Sequence, residues 1–92
     1  MITGNFLKEI TSQINNIDDN EISDLVKFLK KKKNKSKIFL AGNGASASIA
    51  NHVATDLSKS AGFKATTFNE SNLITCLSND YKYENWIKEA LK

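Results

Sequence analysis

The stretch Ile38-Phe39-Leu40-Ala41-Gly42-Asn43-Gly44-Ala45-Ser46-Ala47-Ser48-Ile49-Ala50-Asn51-His52-Val53-Ala54-Thr55-Asp56-Leu57 decides the fold. Ile38-Phe39-Leu40 is apolar at every position, which is the pattern of a strand covered on both faces, as in a parallel sheet. The run enters Gly42-Asn43-Gly44, a turn whose glycines allow left-handed backbone. Small and hydroxyl residues come next, and then a helical pattern with Ala47, Ala50, Val53, Ala54 and Leu57 on one face. A strand that delivers a loop to the start of a helix brings unpaired backbone N–H groups and the positive end of the helix dipole together. That combination suits an anion, and a phosphorylated metabolite is the natural candidate.

Working outward, Phe6, Leu7, Ile10, Ile14 and Ile17 recur at helical spacing and predict a helix over about 3–17. Asp18, with Glu21 three residues on, resembles a capping signal for a second helix over about 20–33, which the lysine run ends. A strand over 37–41, a helix over 46–59 stopped by Gly62, and a strand over 63–68 then form one βαβ unit, whose crossover is expected to be right-handed. Leu73 to Leu77 reads as a short helix, Ser78-Asn79-Asp80 as a loop, and 82–91 as a final amphipathic helix with Trp86, Ile87, Ala90 and Leu91 apolar. Two strands fall short of the roughly 4–6 of a usual sheet. The expectation is therefore that residues 1–92 are the N-terminal part of a larger α/β domain.

Composition narrows the function classes. With 92 residues, 40% hydrophobic and 25% charged, the chain is globular in character and holds one small domain at most. No segment approaches the ~20 apolar residues of a membrane span, and the N-terminus lacks the pattern of a secretory signal. The net charge of +3 is unevenly placed: seven of the 13 basic residues lie between Lys27 and Lys37 with no acidic residue among them, so the remainder carries −4. Every basic residue is lysine. Arginine is the preferred bidentate reader of guanine and phosphate, so this composition argues against nucleic acid. The lysine run reads as a solvated helix end suited to the dipole. The single cysteine, Cys76, lies in an apolar context and reads as a small buried hydrophobe in a reducing, cytoplasmic setting.

Three groups of residues carry candidate chemistry. Gly42-Asn43-Gly44-Ala45-Ser46-Ala47 is the anion loop, and it also fits the dinucleotide pattern G-x-G-x-x-G/A, with Glu70 after the second strand as a candidate ribose contact. Against that rival stand the two helices before the first strand and the polar pair on the helix after the loop. His52 and Asp56 form that pair: spacing i, i+4 puts them on one face with Ser48, where imidazole and carboxylate can share a divalent metal such as zinc or the carboxylate can serve as a general base. The bland alternative is a solvated ion pair. Asn79-Asp80 is an ordinary turn by itself, and it gains meaning only at the carboxyl ends of the strands, where ligands bind in open α/β sheets.

Phe39-x-x-Gly42-Asn43-Gly44-x-Ser46-Ala47, then His52-x-x-x-Asp56-Leu57, then Leu77-Ser78-Asn79-Asp80-x-x-Tyr83, resembles the N-terminal half of the phosphoheptose isomerase family, a branch of the SIS (sugar isomerase) domains. The resemblance implies a flavodoxin-like parallel sheet with helices on both faces, here cut to two leading helices, a βαβ unit and a terminal helix. It implies a homotetramer with sites at subunit interfaces, and isomerisation of sedoheptulose 7-phosphate to a heptose 7-phosphate through an enediol, often with Zn²⁺. Asn43, Gly44, Ala45 and Ser46 would contact the phosphorylated sugar, as would Asn79 and Asp80. His52 would be a metal ligand, and Asp56 would be both metal ligand and catalytic base, at a position more often glutamate in the family. The family's Ser/Thr-rich phosphate loop, and the Gln and His that complete its site, would lie beyond Lys92. A non-catalytic SIS module that binds a phosphosugar or another protein is the alternative.

Overall fold

A computed structural model describes residues 1–92, which divide into two compact units, Met1–Lys31 and Lys32–Lys92. The first unit is helical. Helix α1 spans Ile2–Asn15 and α2 spans Asp19–Lys32. Asp18 caps α2 as the sequence suggests: its Oδ1 accepts from the Asn20 N–H at 2.8 Å, satisfying a backbone donor that would otherwise be orphaned. Asp19 and Glu21 add negative charge to the first turn of α2, and lysines crowd its end, so both termini complement the dipole. Neither helix buries a single residue. Phe6, Leu7, Ile10, Ile14 and Ile17, and Ile22, Leu25 and Val26, are exposed apolar side chains on regular stripes.

The second unit is built on strand β1 (Ile38–Leu40), helix α3 (Ala45–Lys59) and strand β2 (Ala65–Thr67). The strands pair in parallel, Ile38 with Ala65, Phe39 with Thr66 and Leu40 with Thr67. This is the α/β architecture expected, with α3 as crossover. The strands are shorter than the apolar runs around them. Lys37, Ala41, Phe63 and Phe68 stay outside the ladder, which in a two-stranded sheet is only three pairs long.

Helix α3 covers one face of the sheet. Its Ala50 and Ala54 are buried, and small side chains there let the helix lie close to the strands. Two side chains fasten it. Ser58 Oγ donates to the Ala65 carbonyl at 2.9 Å and accepts from the Ala65 N–H at 3.2 Å, so the end of α3 substitutes for a missing strand at β2. Thr67 donates to Asn51 Oδ1 at 2.8 Å, and Asn69 Nδ2 reaches the same oxygen at 2.9 Å. Phe39, on the opposite face of β1, is 47% exposed and stacks on Phe68 with ring centroids 4.8 Å apart.

The rest of the unit is helix α4 (Ser71–Tyr81), a 3₁₀ turn (Tyr83–Asn85) and helix α5 (Trp86–Ala90). Three sequence expectations are corrected here. Asn79 and Asp80 lie in the last turn of a continuous helix, not in a loop, because the half-buried stripe Leu73, Ile74, Leu77, Ser78 carries helical periodicity past the turn-like composition. Cys76 is exposed, on the other side of that helix, where its thiol lies 3.9 Å from Asp80 Oδ2. The expected helix over 82–91 is a 3₁₀ turn followed by five α-helical residues.

Lys82 sets the turn between α4 and the 3₁₀ segment. It is the sole non-glycine residue with positive φ (74°, ψ 148°), a conformation that costs an L-residue on the order of 1–3 kcal/mol. Beyond the turn comes Trp86, the most enclosed side chain of the chain at 2% exposed. Trp86→Ala is expected to destabilise the second unit by about 3–5 kcal/mol. With so few other buried residues, the cooperative transition seen by urea denaturation should be lost. A transition shifted by less than about 1 kcal/mol would show that Trp86 is not the centre of this core.

Candidate functional site: the glycine loop and the outer face of α3

The loop between β1 and α3 is fixed by its backbone. A Cβ at Gly42 would stand 2.6 Å from the carbonyl carbon and oxygen of Ser46 and 2.8 Å from the Ala47 nitrogen, so only hydrogen fits there. Gly44, the N-cap of α3, has φ 53° and ψ −121°, a region closed to residues with a Cβ. The helix start is then tightened by two short turns. The Ser46 N–H donates to the Asn43 carbonyl and the Ala47 N–H to the Gly44 carbonyl, both at 3.0 Å. The Gly44 and Ala45 N–H groups keep no acceptor within the chain. They sit at the positive end of a 15-residue helix, directly after the carboxyl end of β1. An anionic oxygen placed there meets two free donors and a favourable dipole.

Asn43 lies between these glycines. Its side-chain Oδ1 accepts a hydrogen bond from the Tyr83 hydroxyl, forty residues on. This contact ties the loop to the segment after α4. Asn79 and Asp80 are a turn or less before that segment, exposed, with Asn79 Nδ2 donating to Asp80 Oδ1 at 3.3 Å. No hydrogen bond joins either of them to the loop.

His52 and Asp56 lie on the face of α3 away from the buried Ala50 and Ala54, with His52 Nε2 3.5 Å from Asp56 Oδ2. Their side chains are 80% and 61% exposed. By the helical rise of ~1.5 Å per residue, His52 stands about 10 Å along the axis from the loop and Asp56 about 16 Å. Ile49 and Val53, both exposed, share this outer face. Nothing else in the second unit covers it.

This bears on zinc. A zinc site takes three or four protein donors. The pair supplies two, and no group of three His, Cys, Asp or Glu exists in the chain that could hold a metal ion. These residues therefore do not make a zinc site by themselves.

A separate concavity lies elsewhere on the second unit. An open cleft of about 750 Å³ runs between the second half of α3 and β2, lined by Asn51, Thr55, Ser58, Thr67, Asn69 and Glu70 among others. Of the candidate site residues named from the sequence it contains only Glu70, which is the N-cap of α4. Tyr83 ends the motif quoted from the sequence, but its bond to Asn43 is set by the fold and is invisible to local spacing. Sequence reasoning missed Asn51, next to His52 in sequence but turned toward β2.

The loop geometry predicts a sharp contrast between glycines. Gly42→Ala should cost about 1–3 kcal/mol or more, because the obstruction is backbone and cannot rotate away. Gly4→Ala, in open space within α1, should be neutral or stabilise by up to about 1 kcal/mol. Equal melting shifts for the two variants would contradict the close approach at Gly42.

Among known proteins, the chain is similar to phosphoheptose isomerase of Helicobacter pylori, 40% identical over 57 residues, which is 55% of this chain and 30% of that protein. It is also similar to phosphoheptose isomerase 2 of Campylobacter jejuni, 32% identical over 97 aligned residues, 91% of this chain and 47% of that protein. No family model and no solved structure matches. The chain spans less than half the length of either curated relative. The second match covers nearly the whole chain, glycine loop included, so the chain is similar along most of its length to about half of a phosphoheptose isomerase.

Proposed function

We propose that this chain contributes one wall of a sugar-phosphate isomerase site that interconverts a ketose phosphate and an aldose phosphate. Sedoheptulose 7-phosphate is the substrate, the heptose feeds surface-polysaccharide precursors, and the setting is cytoplasmic. The observation that carries the reading is the free pair of N–H donors at Gly44 and Ala45, at the carboxyl end of a parallel strand, in a chain similar to phosphoheptose isomerases. The loop residues Asn43 to Ser46 hold the phosphorylated sugar, with Asn79 and Asp80 adding contacts.

Aldose–ketose isomerisation needs a base that takes a proton from the hydroxyl-bearing carbon next to the carbonyl and an acid that protonates the carbonyl oxygen, giving an enediol; the other hydroxyl then gives up its proton as the former carbonyl carbon is reprotonated. Asp56 is the base in this reading, and His52 is its partner on the same helix face. Aspartate is a methylene shorter than the glutamate common in the family, and a misplacement of ~1 Å can cost ~10²-fold in rate, so the substrate must approach α3 more closely. The remaining acid/base and phosphate-holding groups, and any further zinc donors, come from outside these residues.

A second copy of the chain is the natural cover for the outer face of α3, where exposed Ile49 and Val53 flank the pair. The bare apolar stripes of α1 and α2 also suit association. A homotetramer with shared sites is therefore part of the proposal, and the 92 residues alone should show no turnover.

The test is conversion of sedoheptulose 7-phosphate by the full-length protein and its Asp56→Asn variant. Loss of turnover by at least ~10³-fold with ligand affinity within a few-fold of wild type is the expected outcome. Because the exposed His52–Asp56 pair is worth at most about 0.5 kcal/mol, the melting temperature should hardly move. Ligand binding without turnover in both proteins would favour a non-catalytic SIS module. Binding of NAD in place of the sugar phosphate would favour the dinucleotide reading.

A further inference from the structure

Asn43 is an unusual place for a recognition side chain. Both its neighbours are glycines that the backbone requires, so no adjacent side chain limits its rotamers. Its own backbone is committed, with the carbonyl accepting from the Ser46 N–H. The amide would swing freely but for one contact, the hydrogen bond from the Tyr83 hydroxyl to its Oδ1. Tyr83 stands where it does because Lys82 holds a left-handed backbone that turns the chain sharply after α4.

We infer that Tyr83 is a positioning residue that restrains the Asn43 side chain against the phenol, with the amide oxygen accepting from the hydroxyl and Nδ2 left free. With one lone pair of the oxygen taken by the phenol, the carboxamide still offers both Nδ2 hydrogens as donors. No protein acceptor takes the two Nδ2 hydrogens. Asn43 Nδ2 thereby joins the Gly44 and Ala45 N–H groups as a third donor on one short loop. The set suits a ligand rich in acceptors, such as a phosphate or a polyhydroxylated sugar phosphate. Without the phenol, the amide can flip and present its oxygen, which repels an anion, and the ligand must order a mobile side chain on binding. What Nδ2 meets rests on the phosphosugar reading above, whereas the clamp itself does not.

The experiment has two arms on the full-length protein. In the first, the Asn43 side-chain amide is followed by ¹H–¹⁵N NMR in the ligand-free state, its signals identified by their loss in Asn43→Ala. Tyr83→Phe should shift them and speed their solvent exchange, and unchanged signals would overturn the clamp. In the second, dissociation constants for inorganic phosphate and sedoheptulose 7-phosphate are measured in wild type, Tyr83→Phe, Asn43→Ala and the double variant. Tyr83→Phe should weaken binding on the order of 3- to 10-fold, and the effect should vanish in the Asn43→Ala background. An equal further loss in that background would mean that Tyr83 acts on the fold at large, and the inference fails. If neither ligand binds any of the four proteins, the phosphosugar reading fails while the NMR arm still decides the clamp.

Discussion

The second unit depends on the approach of two backbones at Gly42. Strand β1 ends, and a few residues later helix α3 begins, so the turn out of the strand lies against the helix's first turn, whose backbone atoms stand 2.6–2.8 Å from where a Gly42 Cβ would be. Hydrogen is the sole substituent that fits. That contact sets the angle at which α3 leaves the strand, and hence which of its residues fall on the sheet. Ala50 and Ala54 go in, Asn51 and Ser58 reach the β2 side, and His52 and Asp56 go out. The same contact fixes the helix N-terminus just beyond the strand end, where two N–H groups are left over. The packing of α3 and the two unpaired N–H groups are thus two consequences of one steric constraint.

Much of this was legible in the sequence, and the physical reasons are specific. Ile38-Phe39-Leu40 and the glycine pair announce a strand running into a tight turn, and the alanines of α3 announce a close-packed helix. Asp18 announces the start of α2. The errors came where local composition and tertiary context disagree. Ser78-Asn79-Asp80 has turn-forming residues, yet Leu77 and Ser78 extend a half-buried stripe, and burial overrides the local preference. Cys76 has apolar neighbours in sequence, but on a helix its neighbours in space are Asn72 and Asp80, and it faces outward. Spacing showed that His52 and Asp56 share a face. It did not show which face, because that depends on the alanines opposite.

The candidate site is divided between a constrained part and an open part. The loop is closely constrained: only hydrogen fits at Gly42, Gly44 holds a positive φ, and the Tyr83 hydroxyl bonds the Asn43 side chain. The outer face of α3 is open, with a polar pair and two apolar side chains on a surface that nothing else in the second unit covers. Such a face has the character of half an interface, apolar groups beside a few chemical ones.

The central claim is that the loop and the outer face of α3 belong to one site. The most direct measurement is a crystal structure of the full-length protein with sedoheptulose 7-phosphate bound. The account predicts the ligand against the Gly44 and Ala45 N–H groups and Asn43 Nδ2, with His52 and Asp56 bordering the same cavity. A ligand seated in the cleft between α3 and β2, against Asn51, Thr67 and Glu70, with the glycine loop empty, would contradict it.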